Sequence, residues 1–466
     1  MPLPLRERAR YALRVRGTAH AEFPRGGGRH GGARRVTAGA DSTVEEVPGV
    51  LATPLPAAQR TWLLLGIGFP VLIINFAAPY LQLIALPLVF FLKNRLHQSP
   101  DQVALFAFVA AAPTYLGGFF GFVRDRWNPF GRGDRGYLVV FGLACVAGYA
   151  ALAFAPPTYA VLLIGGLFVG IFLQFVSAAV SGIATAIGRR HAMSGQMSTG
   201  MNTAIIVPAV ACGWLGGLLA DSIEGLPAGQ ALRPVFLIGA ALMVLVCAFG
   251  AFGPKRIYED GRTEPEAISP GRDFIRLLKY WPIYPALLIQ LLWQFAPGAG
   301  IAMQFHLSND IHASGAQVGL FYTIFYVGFI PMYGVYGWLA RRVALRPLVW
   351  IGGVLAVPQM ASLLFIHSPT GALWAAVPMG LLGGIGQAAF TDLTIRSSPK
   401  GLEGTMIMLF LALYWIALRG GDLWGADLYQ HHGGFNATLW ATIAVYAAIL
   451  LVIPFVPKRI TAGHDA

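Results

Sequence analysis

Charge is what this sequence has least of. Of its 466 residues 12% are charged and 56% are hydrophobic. Soluble domains carry about 25% charged residues. A water-soluble globular domain and a disordered chain are therefore both excluded. Lysine is scarcer still, with 5 Lys against 28 Arg beside abundant Ala and Gly. That bias points to a GC-rich, bacterial coding sequence. Cysteine is also scarce. Cys145, Cys212 and Cys247 each sit inside an apolar stretch, and none forms a C-x-x-C pair. No disulfide scaffold, redox motif or zinc motif is expected, and the three read as small buried hydrophobes. The sequence lacks a phosphate loop and a nucleophile elbow, so neither ATP-driven work nor an enzyme is expected. Gly383-Gly384-Ile385-Gly386 lies inside an apolar run with no strand before it, and reads as small-residue packing rather than a dinucleotide loop. His431-His432 has no further ligands beside it, so no metal and no cofactor are expected.

What the sequence does hold is long apolar runs. Mean hydropathy is +0.62. From Trp62 onward twelve apolar blocks can be marked, at about 62–92, 102–122, 136–155, 158–187, 196–220, 232–253, 282–307, 315–339, 346–366, 371–394, 403–428 and 435–456. Each can cross a hydrocarbon core of about 30 Å at 1.5 Å per residue. Each must be helical, because lipid offers backbone amides no other partner. The first block is longest and has to tilt, kink or run along the interface. The expectation is an all-α membrane protein with its spans in two six-helix bundles, at residues 61–253 and 281–457. A charged cytoplasmic linker at 254–280 joins them. A basic tail, 1–60, precedes them and a short tail, 458–466, follows. The basic tail reads as a flexible segment or as a contact for anionic lipid, and not as a secretory signal.

Net charge is +12, which raises the question of nucleic acid. Its distribution answers it. The tails and alternate loops are net basic, while the intervening loops taken together are net acidic. By the positive-inside rule both termini are cytoplasmic. The basic balance then needs no nucleic-acid partner. A multi-pass protein of the bacterial inner membrane is expected, a monomer whose partners are the lipid bilayer and a small-molecule substrate.

The two halves repeat. Residues 90–106 match residues 305–321 at an offset of 215, with nine of seventeen positions identical. Each segment joins the first span of its half to the second. Six spans repeated with one polarity form a parallel repeat. The next loop repeats more weakly. Gly121-Phe122-Val123-Arg124-Asp125-Arg126 precedes Arg132 and Arg135, and Gly337-Trp338-Leu339-Ala340-Arg341-Arg342 precedes Arg346. Here the glycine is expected to let helices approach, the acid to attract a helix N-terminus, and the arginines to pair with acids or phosphates.

With these residues the chain over 62–456 resembles the major facilitator superfamily, whose loop motif G-x-x-x-D-R falls on Gly121, Asp125 and Arg126. More narrowly it resembles the folate–biopterin transporter family. That family's first loop pattern falls on Gly121, Asp125, Phe130, Gly131, Arg135 and Tyr137. Its later pattern falls on Asp392, Leu393, Arg396, Pro399, Gly401, Glu403, Gly404 and Thr405. Two positions depart: Ser398 replaces the usual cysteine, and the second-half loop lacks its acid. The resemblance implies a carrier of a folate- or pterin-like anion, with Gly121, Asp125, Arg126, Arg135, Gly337, Arg341, Arg342, Asp392, Arg396 and Glu403 forming a cytoplasmic gate.

Candidate substrate contacts are polar groups within the spans. The paired first spans are rich in helix breakers: Pro70, Pro79 and Pro87 against Pro282, Pro285, Pro297, Gly298 and Gly300. Breaks at matching places point to a midplane site. Asn75, Gln82, Gln290 and Gln294 lie on these spans, and Gln290 and Gln294 share a face by their spacing. Gln174 aligns with Ser177 and Ser181, while Asn202, Gln359 and Gln387 stand alone. Such amides suit a flat heterocycle or act as glue between helices. His306 reads as an interfacial histidine or a proton carrier. Arg419 and Asp422 carry the most information. A lone charge at mid-span costs about 2.5–3.5 kcal/mol, and i,i+3 spacing lets the two neutralise each other. They are either a structural ion pair or a site where Arg419 attracts a carboxylate and Asp422 exchanges a proton. The function expected is secondary active transport by alternating access with proton symport. The alternatives are a carrier of sugars, carboxylates or drugs, and a non-transporting assembly factor or receptor.

Overall fold

The computed structural model describes residues 55–461 except 81, 128–130, 192, 261–274, 276, 277, 341 and 398–402. Almost all of the basic tail and most of the linker lie outside the described residues. No strand occurs among the described residues. The first block forms α1 (Ala57–Ala77) and α2 (Gln82–Asn94), and the second begins with α3 (Pro100–Ala110) and ends with α4 (Gly117–Arg126). Next come α5 (Gly142–Phe154), α6 (Tyr159–Arg190), α7 (Ser194–Glu224) and α8 (Arg233–Phe252). A short helix, α9 (Lys255–Asp260), opens the linker. The seventh block forms α10 (Ile283–Gln294) and α11 (Ile301–Phe305). The remaining spans are α12 (Gly315–Ala340), α13 (Leu345–Ala361), α14 (Pro369–Arg396), α15 (Glu403–His431) and α16 (Gly434–Val452).

Nine helical stretches among the described residues are long and apolar enough to cross a membrane, and α3 and α10 are shorter apolar helices. α15, which carries Arg419 and Asp422, is not among the nine. The second block does not form the continuous helix expected. It breaks at Ala111 and again at Leu116, around Pro113. Proline lacks the N–H and crowds the preceding turn, so the ladder cannot run through.

The repeat is visible in the backbone. His97 and His312, 215 residues apart, both take left-handed φ values, 51° and 59°. The amide of Gln98 donates to the Leu92 carbonyl at 3.0 Å, and that of Ala313 to Leu307 at 2.8 Å. Gln102 Oε1 accepts the Ser99 amide and Gln317 Oε1 accepts the Ser314 amide, each at 3.0 Å. The two segments thus reverse direction by the same turn and start the next helix with the same reciprocal cap. They also touch: Lys93 Nζ donates to Ser308 Oγ at 2.6 Å, between positions that correspond in the repeat.

Two apolar cores form. One runs from Leu63 to Ile257 and takes in Ile301, Phe305 and Ala426. Another runs from Ala286 to Val456 and takes in Leu86, Phe90 and Ala220. Phe305 of the first core and Phe90 of the second both lie against Lys93, so the cores meet at that end. Large apolar side chains such as Phe252, Trp374 and Leu451 remain exposed, which suits lipid as the surrounding solvent.

Candidate functional site

The break in the seventh block builds the site. Pro297-Gly298-Ala299-Gly300 stops α10, and the chain restarts at Ile301. α15 lies directly on this unwound stretch. A Cβ at Gly425 would come within 1.9 Å of the Pro297 carbonyl oxygen, and one at Gly421 within 2.9 Å of the Ala296 nitrogen. Only glycine permits that approach. It brings Asp422 to the restarted helix, where the Ile301 amide donates to Asp422 Oδ1 at 3.3 Å. A helix N-terminus carries partial positive charge and favours a carboxylate there. Arg419 Nη1 donates to Asp422 Oδ2 at 2.9 Å, and the two side chains are 11% and 4% exposed. Asp422 is thus held from two sides. Arg419 Nε is buried without a hydrogen-bond partner, so the guanidinium keeps unused donor capacity.

Tyrosines surround the pair. The Tyr322 hydroxyl donates to the carbonyls of Ala299 and Gly300, each at 3.3 Å, which fixes the broken backbone. Tyr115, Tyr326 and Tyr414 lie within electrostatic reach of Arg419. Tyr326 is 38% accessible although protein surrounds it, so it borders an internal space. The sequence reading missed these tyrosines. The i,i+4 spacing of Tyr322 and Tyr326 was the available signal.

A second polar group lies next to the break. Gln387 Oε1 accepts from Trp293 Nε1 at 2.6 Å and from Gln294 Nε2 at 3.3 Å, while Gln387 Nε2 donates to Thr391 Oγ1 at 3.2 Å. Gln294 and Gln387, both expected in the site, are therefore joined. Gln290 is 2% exposed, and neither its amide oxygen nor its nitrogen has a partner. Asn75 donates to the Val71 carbonyl of its own helix at 2.8 Å. Gln82 opens α2 with a left-handed φ of 51°, directly after the break in the first block. Gln174 is half-buried on α6. The side chain of Asn202 lies outside the described residues. His306 stacks on Phe435 at 3.9 Å and pairs with Asp310 at 2.7 Å, a fully engaged position near Lys93.

The far end holds the loop residues. Arg124 grips Asp134 with Nε to Oδ1 and Nη2 to Oδ2, each at 2.8 Å. This planar, two-bonded pair is a strong form of ion pair. The sequence reading had not singled out Asp134. Arg135 Nη2 donates to the Gly253 carbonyl at 2.8 Å, and its guanidinium lies 4.4 Å from the Tyr258 ring centre. Loop, α8 and linker helix α9 are thereby tied together. Burial pushes the Tyr258 hydroxyl above the ordinary tyrosine range, with the Arg135 charge pulling the other way. In the second half, Asp392 accepts two hydrogen bonds from Arg396, at 2.8 and 3.0 Å, and one from Tyr336 at 2.7 Å. Arg342 stacks on Trp338 at 4.2 Å. The close approach expected at Gly121 and Gly337 is not present, since a Cβ at either would meet nothing within 4 Å. Arg341 and the side chains of Asp125, Arg126 and Glu403 lie outside the described residues.

The family model of the Major Facilitator Superfamily matches residues 68–418. Sugar efflux transporter B of Salmonella typhimurium is 25% identical over 417 residues, covering 86% of this chain and 98% of that one. The folate-biopterin transporter of Synechocystis sp. is 23% identical over 434 residues, covering 87% and 85%. Among solved structures, a bacterial homolog of the human lysosomal transporter Spinster, inward-facing and unoccupied, superimposes with a TM-score of 0.60 at 16% identity. It covers 88% of this chain and 96% of that one.

Proposed function

The chain belongs to the Major Facilitator Superfamily, a family of membrane transporters rather than enzymes, and we propose that it is a secondary carrier working by alternating access. Twelve spans in two bundles, 61–253 and 281–457, with both termini in the cytoplasm of a bacterial inner membrane, make up the proposed arrangement. Interrupted helices placed at corresponding points of a parallel repeat support it.

The observation that carries the reading is the Arg419–Asp422 couple at the restart of the seventh span. An intramembrane ion pair bordering an internal space marks a pathway more often than a strut. In the proposed cycle, protonation of Asp422 removes the charge that holds Arg419. The guanidinium then binds an organic anion through the Nε donor already free and the Nη1 donor released. Loss of the proton restores the pair and expels the anion. Gln290, Gln294 and Gln387, with Asn75, Gln82 and Gln174 on the facing half, are the proposed polar lining. Aromatic walls around a cation suit a planar acid, such as the folate or pterin that the Synechocystis relative is named for.

A sugar is the second reading. The Salmonella relative favours it, and so does the amide array on Gln387, which suits hydroxyl groups.

Proteoliposomes separate the two. Labelled folate, a pterin and a disaccharide are offered with and without an imposed pH gradient. Gradient-driven folate or pterin uptake that Arg419→Ala and Asp422→Asn each abolish is the expected result. Full uptake by both variants would remove the pair from the mechanism. Movement of the disaccharide alone would select the second reading.

A further inference from the structure

The seam between α7 and α12 carries a device that its repeat-related position lacks. Asp221, near the end of α7, accepts the first free amides of α12. The Gly315 amide donates to Oδ1 at 2.6 Å and the Ala316 amide to Oδ2 at 2.9 Å. The first turn of a helix has no internal acceptor for its amides, and a carboxylate from another helix satisfies both donors and the local positive potential. The same two helices meet glycine to glycine below this cap. A Cβ at Gly217 would lie 2.4 Å from the Gly315 carbonyl oxygen, and one at Gly319 would lie 2.1 Å from that of Gly213. Thr323 Oγ1 donates to the Val210 carbonyl at 3.0 Å farther along the same seam. The seam is therefore tightly packed from Asp221 to Thr323.

The repeat shows what is special here. Gly315 corresponds to Pro100, and proline has no amide hydrogen to give. A carboxylate placed across the equivalent seam would find no donor at that position. Asp427, the acid near the same end of α15, bonds instead to His431 of its own helix at 3.2 Å. Asp221 also borders a cavity of about 520 Å³ with Lys93, Glu224, Ser308 and His312. Water therefore reaches the cap from the Lys93 end.

We propose that Asp221 is the latch of the outer seal: its bonds to the first turn of α12 hold the Lys93 end closed, and releasing them opens it. The inference rests on the alternating-access reading, yet it is tested by distance rather than by transport. Spin labels at Gln230 and Thr370, both exposed and on opposite halves at this end, report the opening in a chain whose three cysteines are replaced by alanine. In the otherwise native protein a single short distance is expected. Asp221→Ala raises the ratio of long to short distances by about tenfold or more, the scale of losing hydrogen bonds to a charged group. Asp221→Asn, which keeps one acceptor oxygen, gives a smaller rise. Asp427→Ala leaves the distribution unchanged. Gly319→Ala, which wedges the seam without touching the carboxylate, also lengthens the distance, and Asp221→Asn serves if Asp221→Ala fails to fold. An unchanged distribution in Asp221→Ala, or in Asp221→Asn where that alone folds, overturns the latch. Lengthened distances in a protein that moves no solute under any gradient leave the latch standing and sink the transport reading.

Discussion

Asp422 and Gly300 claim the same space. Asp422 Oδ1 lies 1.6 Å from the point where a Cβ on residue 300 would sit. Any side chain there must expel the carboxylate from the restart of α11. Gly300→Ala is accordingly expected to abolish gradient-driven uptake as Asp422→Ala does. Its overpacking costs about 1–3 kcal/mol, read as a lowered Tm. Gly298→Ala makes a useful contrast. Its Cβ would stand 3.1 Å from Thr442 Oγ1, and uptake is expected to survive.

The ion pair separates structure from function by a double substitution. Arg419→Ala leaves a buried carboxylate without its main counter-charge and is expected to cost about 3–5 kcal/mol. Arg419→Met with Asp422→Leu removes both charges and should recover most of the lost Tm. Uptake should stay absent in the double variant. Recovered uptake would show that the charges are struts.

Gln387 holds two donors at once. Gln387→Leu strands the Trp293 indole N–H and is expected to cost about 1–3 kcal/mol. Gln387→Glu keeps both accepted bonds and, at a pH low enough to leave the new acid neutral, should fall well short of that loss. Thermal unfolding in detergent measures the difference.

Arg135 fastens the linker helix. Arg135→Ala loses the bond to the Gly253 carbonyl and the stack on Tyr258, the latter worth about 0.5–2 kcal/mol. Trypsin should then cut at Lys255 and Arg256 several-fold faster. Arg132→Ala, at an exposed position, should leave the rate unchanged.

Much of this was legible in the sequence because lipid imposes few solutions. Apolar runs had to become helices, and the Pro297–Gly300 stretch had to interrupt one. The Arg419–Asp422 spacing allowed the pair that forms. What the sequence hid was partnership across distance. Asp134 looks like any loop acid until Arg124 closes on it with two bonds. Tyr322 and Tyr326 look like ordinary span aromatics until the break in the seventh block brings Arg419 and Asp422 beside them. Asp221 looks like a solvated helix end until its oxygens meet amides nearly a hundred positions along. Gly121 and Gly337 misled in the other direction. A motif glycine suggests close contact, but a Cβ at either position would meet nothing within 4 Å.

The Lys93–Ser308 bond joins positions that correspond in the repeat, and it depends on their being different residues. Two identical copies related by a rotation would place Lys93 against its own copy, ammonium to ammonium, on the axis between them. Like charges at that distance repel, and such a dimer would be held ajar on that face. Serine at 308 converts the clash into an attraction. Serine at 308 therefore lets this face close where a lysine at both corresponding positions would hold it open.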